Sequence, residues 1–237
     1  SREELLKELR KLVEEIKRRS EELLRRLEKL LEDNERRTRE LLERLKELLR
    51  EIEERIRGGR PSEEVIRLLE ELVRAIERVL EEHLESNRRL VEAAERVLRE
   101  HVELVKRLVR AIEDVVEKEL EEDKIRTIKK LLDEWRRRLE KLVRDVRRKL
   151  EEWIKRTEEM IDEVRRLLEE LKETIRRKGN DRDIVRELTE LVRRLLKRVE
   201  ELLKRSLEIL RELIKAIADA IKESLDILDR LLREVAR

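Results

Sequence analysis

The sequence predicts an all-α protein, a straight, antiparallel, up-down-up-down four-helix bundle. Three observations carry that expectation: apolar residues return every 18 positions, the composition is that of long helices, and glycine and proline occur in only two places. Residues 3–20, 21–38 and 39–56 read EELLKELRKLVEEIKRRS, EELLRRLEKLLEDNERRT and RELLERLKELLREIEERI. Leu5, Leu23 and Leu41 share one slot, Leu9, Leu27 and Leu45 a second, and Leu12, Leu30 and Leu48 a third. Eighteen residues are five turns at 3.6 residues per turn, so a straight helix brings each slot back to one angle. A seven-residue repeat would impose a left-handed supercoil instead.

Of 237 residues, 53% are charged and 1% aromatic, with no Phe, Tyr or Cys. Such a composition with helical periodicity marks long helices. The unbroken apolar stripes argue against a disordered polyampholyte. Without cysteine there is no disulfide or thiolate chemistry, and the redox compartment is unreadable. No apolar run reaches the length of a membrane span, and the charged start SREELLKELR does not read as a signal peptide.

The elements follow in order. Helix 1 (about 2–57) ends at Gly58-Gly59-Arg60-Pro61-Ser62, where glycine takes the left-handed conformation and proline fits the next first turn. Helix 2 (about 62–120) is found to end by phase. Its stripe runs through Leu72, Ile76, Val79, Val97, Leu104, Leu108 and Val115, and the next stripe (Ile128, Leu132, Trp135, Leu139) would face the opposite side of a continued helix. A reversal at 121–123, with Asp123 as N-cap, repairs the phase; an unbroken helix there would force a domain-swapped dimer. Helix 3 (about 124–178) closes at Gly179-Asn180, and Asp181 caps helix 4 (about 181–236). Each helix is then about 55 residues, or about 80 Å at 1.5 Å per residue, and the whole chain is expected to form one bundle.

Net charge is +2, which gives nucleic acid no purchase. Residues 61–122 hold 11 basic and 18 acidic groups, net −7, and residues 123–178 hold 20 and 14, net +6. As antiparallel neighbours these segments carry complementary surfaces that favour one helix arrangement. Helix 1 has a narrow apolar stripe of about 120°, and helices 2 and 4 have stripes near 180°. Their flanks (Ile66, Val73, Leu80 and Leu98; Leu196, Leu207, Ile214, Ala218, Leu225 and Leu232) either sit close to the bundle axis or stay partly exposed. A monomer needing no partner, membrane or nucleic acid is expected, with those flanks as the surface for any self-association.

Polar residues interrupt the stripes at their centre. Ser20 and Thr38 stand in the slot of Ile56, His83 and His101 in that of Val65, Trp135 and Trp153 in that of Leu171, and Ser206 and Ser224 in that of Leu188. A second set belongs to the middle repeat alone: Asn34 replaces Ile16 and Ile52, Ser86 replaces Leu68 and Leu104, Asn87 replaces Leu69 and Val105, and Thr157 replaces Leu139 and Ile175. Counted outward from the turns, Thr38 lies opposite His83, Ser20 opposite His101, Trp153 opposite Ser206 and Trp135 opposite Ser224. Asn34, Ser86, Asn87 and Thr157 fall near one level. With the middle turn at 121–123, the helix 1–2 pairs sit about 12 Å above the helix 3–4 pairs. A buried polar group without a partner costs about 1–3 kcal/mol, so several at one level imply mutual hydrogen bonds that specify helix pairing and register.

Other chemistry fits these residues less well. His83 and His101 are about 27 Å apart along one helix and cannot share a metal ion. Neither stands in Glu-x-x-His or His-Glu-x-x-His. Nucleophilic catalysis would need an oriented base, an oxyanion site and a pocket, and no glycine-rich loop supplies them. The tryptophans read as large core residues whose N–H needs an acceptor rather than as a cofactor box. No cofactor, metal site or enzyme activity is expected.

The 18-residue repeat, the reduced alphabet, the Gly-Gly-Arg-Pro-Ser and Lys-Gly-Asn-Asp turns and the recurring polar slots together resemble parametrically designed helical bundles with buried hydrogen-bond networks. That resemblance spans the whole chain and implies a soluble, very stable engineered scaffold. It also implies an alternative, a pH-responsive or partner-exchanging module built on His83 and His101. A natural spectrin-like or apolipoprotein-like chain would show irregular heptads, Phe or Tyr and longer loops, which this sequence lacks.

Overall fold

The computed structural model describes residues 2–119, 121–178 and 182–237. It is an all-α four-helix bundle of α1 (Arg2–Arg57), α2 (Ser62–Glu119), α3 (Glu122–Lys178) and α4 (Arg182–Ala236). The first link is a Schellman turn. The Arg60 N–H bonds the Arg55 carbonyl at 3.2 Å and the Gly59 N–H bonds that of Ile56 at 3.2 Å, while Gly59 holds φ at 71°, the left-handed value glycine takes without a Cβ clash. The Pro61 carbonyl then accepts from the Val65 N–H at 3.3 Å and opens α2. α3 starts at Glu122, two residues earlier than an Asp123 cap requires, because the Glu121 carbonyl accepts from the Ile125 N–H at 3.0 Å. Asp123 therefore sits in the first turn. The expected turn at Gly179, Asn180 and Asp181, and the expected last residue of helix 2, Leu120, lie outside the described residues.

The helices form two compact units, to each of which every helix contributes one stretch. The first comprises Ser1–Leu30, Leu90–Glu151 and Arg211–Arg237, and the second Leu31–Arg89 and Glu152–Leu210. In the second unit, Arg37–Glu82 and Arg55–Glu64 pair α1 with α2, while Lys46–Glu200 and Arg193–Glu53 pair α1 with α4. In each set one residue number rises as the other falls, so both neighbours run antiparallel to α1. Lys172–Glu77 and Arg198–Glu163 join α3 to α2 and to α4. The first unit repeats the arrangement with Arg19–Glu100, Lys17–Asp229, Arg136–Glu113 and Arg138–Glu223. Surface pairs of this kind contribute about 0–1 kcal/mol each; they record who neighbours whom more than they hold the fold.

Packing supplies the stability. The second unit's core centres on Ile52, Leu69, Leu72, Ile76, Leu188, Val192 and Val199, and the first unit's on Val105, Leu108, Ile112, Ile128, Leu132 and Leu228. A fully buried side chain of this size stabilises by about 1.5–3 kcal/mol. The flanks of α2 and α4 are mostly inside: Ile66, Val73, Leu80, Leu98, Leu196, Ile214 and Ala218 are buried, and Leu207, Leu225 and Leu232 half-buried. Seven of the ten are thus covered within the chain. The exposed large apolar side chains among the described residues are Leu30 on α1 and Ile154 and Leu167 on α3. Leu30, at 47% exposure, shows that the slot of Leu12, Leu30 and Leu48 is the rim of the stripe, while Val13, Leu31 and Leu49 face inward.

Candidate functional site

The polar slots form one hydrogen-bonded set in each unit. In the second unit, Thr38 Oγ1 and His83 Nδ1 lie 3.3 Å apart, and His83 Nε2 and Ser206 Oγ 3.0 Å. In the first unit the same order recurs, with Ser20 Oγ to His101 Nδ1 at 2.9 Å and His101 Nε2 to Ser224 Oγ at 3.1 Å. Each triple reaches from α1 through α2 to α4. In both, the α4 serine follows its histidine by 123 positions.

The α2–α4 bond explains the stripe widths. Ion pairs tie α2 to α1 and α3 along its edges, and the His–Ser bond ties it to α4 across the core, so α2 meets three helices. α4 likewise meets α1, α3 and α2. A helix with three neighbours needs a wide apolar face.

The second unit adds Ser86, Asn34 and Asn87. The Ser86 hydroxyl donates to Asn34 Oδ1 at 2.7 Å, and Asn34 Nδ2 donates to Asn87 Oδ1 at 2.7 Å. Asn87 Nδ2 donates to His83 Nε2 at 2.8 Å and to Ser206 Oγ at 3.2 Å. An amide NH₂ only donates, so it selects the His83 tautomer with a bare Nε2 and a proton on Nδ1, aimed at Thr38. His101 has a hydroxyl on either side, and each can donate or accept, so both of its tautomers are satisfied.

Both imidazoles are buried at 1% exposure. Burial alone pushes each down from 6.5 to about 4, because the cation loses its hydration. The two differ in what protonation does. A proton on His101 leaves two N–H groups facing two hydroxyl oxygens. A proton on His83 Nε2 faces the Asn87 NH₂, donor against donor.

Three expected members stand apart from these sets. Trp135, Trp153 and Thr157, all on α3, are buried, but Nε1 of both indoles and Oγ1 of the threonine have no hydrogen-bond partner among the described residues. The expected pairings of Trp153 with Ser206 and of Trp135 with Ser224 are replaced by His83–Ser206 and His101–Ser224. The axial offset is corrected with them. His83 and Ser206 share a level rather than lying about 12 Å apart. Counting from turns assumes that each link adds no axial shift, whereas the bond measures register directly. Thr157 likewise shares no bond with Asn34, Ser86 or Asn87, so α3 contributes none of the expected polar members to either set.

Thr189 is a buried polar residue the slot reading passed over. It stands where Leu207 and Leu225 stand in the other repeats, the same signature as Asn34. Its hydroxyl bonds the Val185 carbonyl at 2.7 Å, a satisfied back-bond within α4.

Among the described residues no group of three or more His, Cys, Asp or Glu side chains is placed to hold a metal ion. None of the described helices is long and apolar enough to cross a membrane. No protein-family model matches the chain, and no curated protein sequence resembles it. Among solved structures, a computationally designed three-helix bundle aligns over 98% of this chain and 95% of its own, at 18% identity and a TM-score of 0.25. A superposition that loose says nothing of how this chain works.

Proposed function

We propose that the chain is an idealised structural scaffold, a designed helical bundle without a catalytic role, whose buried polar sets choose which helices pair and in which register. The observation that carries this reading is the repeated triple, Thr38–His83–Ser206 and Ser20–His101–Ser224, on the same three helices, with each α4 serine 123 positions after its histidine. A one-turn slip of α4 along α2 would set His83 against an apolar side chain and leave its buried nitrogen bare, at about 1–3 kcal/mol. The Leu, Ile and Val stripes supply the stability, and the polar slots reject the alternatives that an all-leucine stripe would tolerate. The chain acts as one folding unit from residue 1 to 237.

A pH-responsive module is the second reading, favoured by imidazoles placed inside the pairing sets. Their pKa of about 4 moves any response below the range in which an ordinary histidine switches. Thermal unfolding with light scattering at pH 8 and pH 5 tests both. The scaffold reading expects a monomer at each pH, one cooperative transition, and a midpoint above about 60 °C, beyond most mesophile domains. Cooperative loss of helicity between pH 6 and 5, abolished when both histidines become asparagine, would transfer the conclusion to the switch.

A further inference from the structure

In the first unit, α2 and α3 leave an open groove of about 510 Å³ between them, within the size range of small-molecule sites. Its floor is apolar, made by Trp135, Leu139 and Val143 at successive turns of α3 and by Val102 and Val109 of α2. Its rim is basic. Arg110, Arg144 and Arg147 line it without an ion pair or hydrogen bond among the described residues, Lys106 stands 3.7 Å from Glu103, and Glu140 is the sole acid in the lining. Arg136, also in the lining, is taken up by Glu113. That α2–α3 pair fixes the antiparallel register and so brings Lys106 beside Val143 and Arg144. The cations Lys106, Arg144 and Arg147 therefore gather at one end, Arg110 stands beside Leu139 midway, and the indole lies at the other end. From Trp135 to Arg147 the groove runs about 18 Å along α3. The neighbouring groove between α3 and α4 carries two acids, Glu134 and Glu234, against the single Glu140 here.

We propose that this groove binds a single-chain alkyl carboxylate. The carboxylate head lies against Arg144 and Arg147, whose planar guanidinium groups offer paired N–H donors matched to its two oxygens. The chain lies over Val143 and Leu139 and ends at Trp135. Cationic and neutral amphiphiles of equal length lack the head contact. Compact polyanions lack the tail contact, so neither half of the site holds them alone. The site stands independently of the scaffold reading, since none of its residues belongs to the hydrogen-bonded triples.

The test titrates dodecanoate, below its micelle concentration, into the full chain carrying Trp153→Phe, so that Trp135 is the single indole. Calorimetry and Trp135 emission should report one saturable site at micromolar concentration with helicity unchanged. Arg144→Glu with Arg147→Glu should weaken binding at least tenfold, and the milder Arg144→Gln with Arg147→Gln should weaken it less, with circular dichroism showing both folded. Raising the salt should weaken binding as the head contact is screened, and dodecyltrimethylammonium and tripolyphosphate should not bind saturably. No saturable dodecanoate binding, equal binding of either control, indifference to both arginine pairs, or loss of helicity on addition would each overturn the proposal.

Discussion

Asn87 is fully buried at 0% exposure and joins Asn34, His83 and Ser206 in the second unit, at 2.7, 2.8 and 3.2 Å. Asn87→Ala leaves the Asn34 amide N–H without an acceptor, reduces His83 Nε2 to its contact with Ser206, and opens a cavity. Orphaned donor and cavity together should cost about 2–4 kcal/mol. The triple change Asn34→Ile, Ser86→Leu and Asn87→Val should behave quite differently. It reproduces the first unit, where Ile16, Leu104 and Val105 hold those slots and the Ser20–His101–Ser224 triple stands at 2.9 and 3.1 Å without any asparagine. The lost hydrogen bonds are worth about 0.5–1.5 kcal/mol each, and the added aliphatic area returns about 25 cal/mol per Å². The triple variant should therefore stay within about 2 kcal/mol of the parent. Guanidinium unfolding followed by far-UV circular dichroism, at a temperature high enough to bring the midpoint into range, gives both values from the shift at constant slope. A triple variant less stable than Asn87→Ala would refute the account, because the polar set would then be a source of net stability rather than of register.

The remaining expectations are simpler. Each histidine is held down to about 4 in the fold against 6.5 when free, so the unfolded chain takes up protons first; stability is full above about pH 6.5 and declines towards pH 4, by about 2 kcal/mol per histidine at pH 5. Helicity should persist at pH 5 with a lowered guanidinium midpoint, and a midpoint that does not move between pH 8 and 5 would mean the imidazoles are not desolvated. An NMR titration should find His101 protonating at higher pH than His83, since only His83 faces a donor amide; the opposite order would contradict the tautomer assigned to His83. Trp153→Phe should change stability by no more than about 1 kcal/mol, lost ring volume being offset by removal of an unpartnered buried N–H, and a loss above about 3 kcal/mol in the same melts would reveal a missed acceptor. Gly59→Ala should cost about 1–2 kcal/mol, because φ of 71° is strained for an L side chain, while Gly58→Ala, whose added Cβ meets only ordinary contacts at 3.5 and 3.7 Å, should be neutral or slightly stabilising; equal effects would place the strain elsewhere.

The helices, the first turn and the buried polar slots were legible because they follow from local rules. A slot that returns every 18 residues returns to one face of an α-helix whatever that helix packs against, so Leu9, Leu27, His83 and Ser206 could be placed inside before any neighbour was known. Gly59 could be read as a helix stop because the left-handed conformation is a property of one residue. Partner choice was another matter. His83 selects Ser206 on α4 rather than Trp153 on α3, and Trp135, Trp153 and Thr157 share the same slot logic yet bond to nothing described. A hydrogen bond is decided within a few tenths of an ångström and a few tens of degrees, whereas counting from a turn locates a residue only to within about one helical turn of 5.4 Å. The wide stripes of α2 and α4 told that these helices had more to cover, but not that they cover it against each other. That choice belongs to the cross-section of the bundle, where the bulk of every side chain on four helices sets which diagonal is short, and no stretch of the chain carries that information by itself.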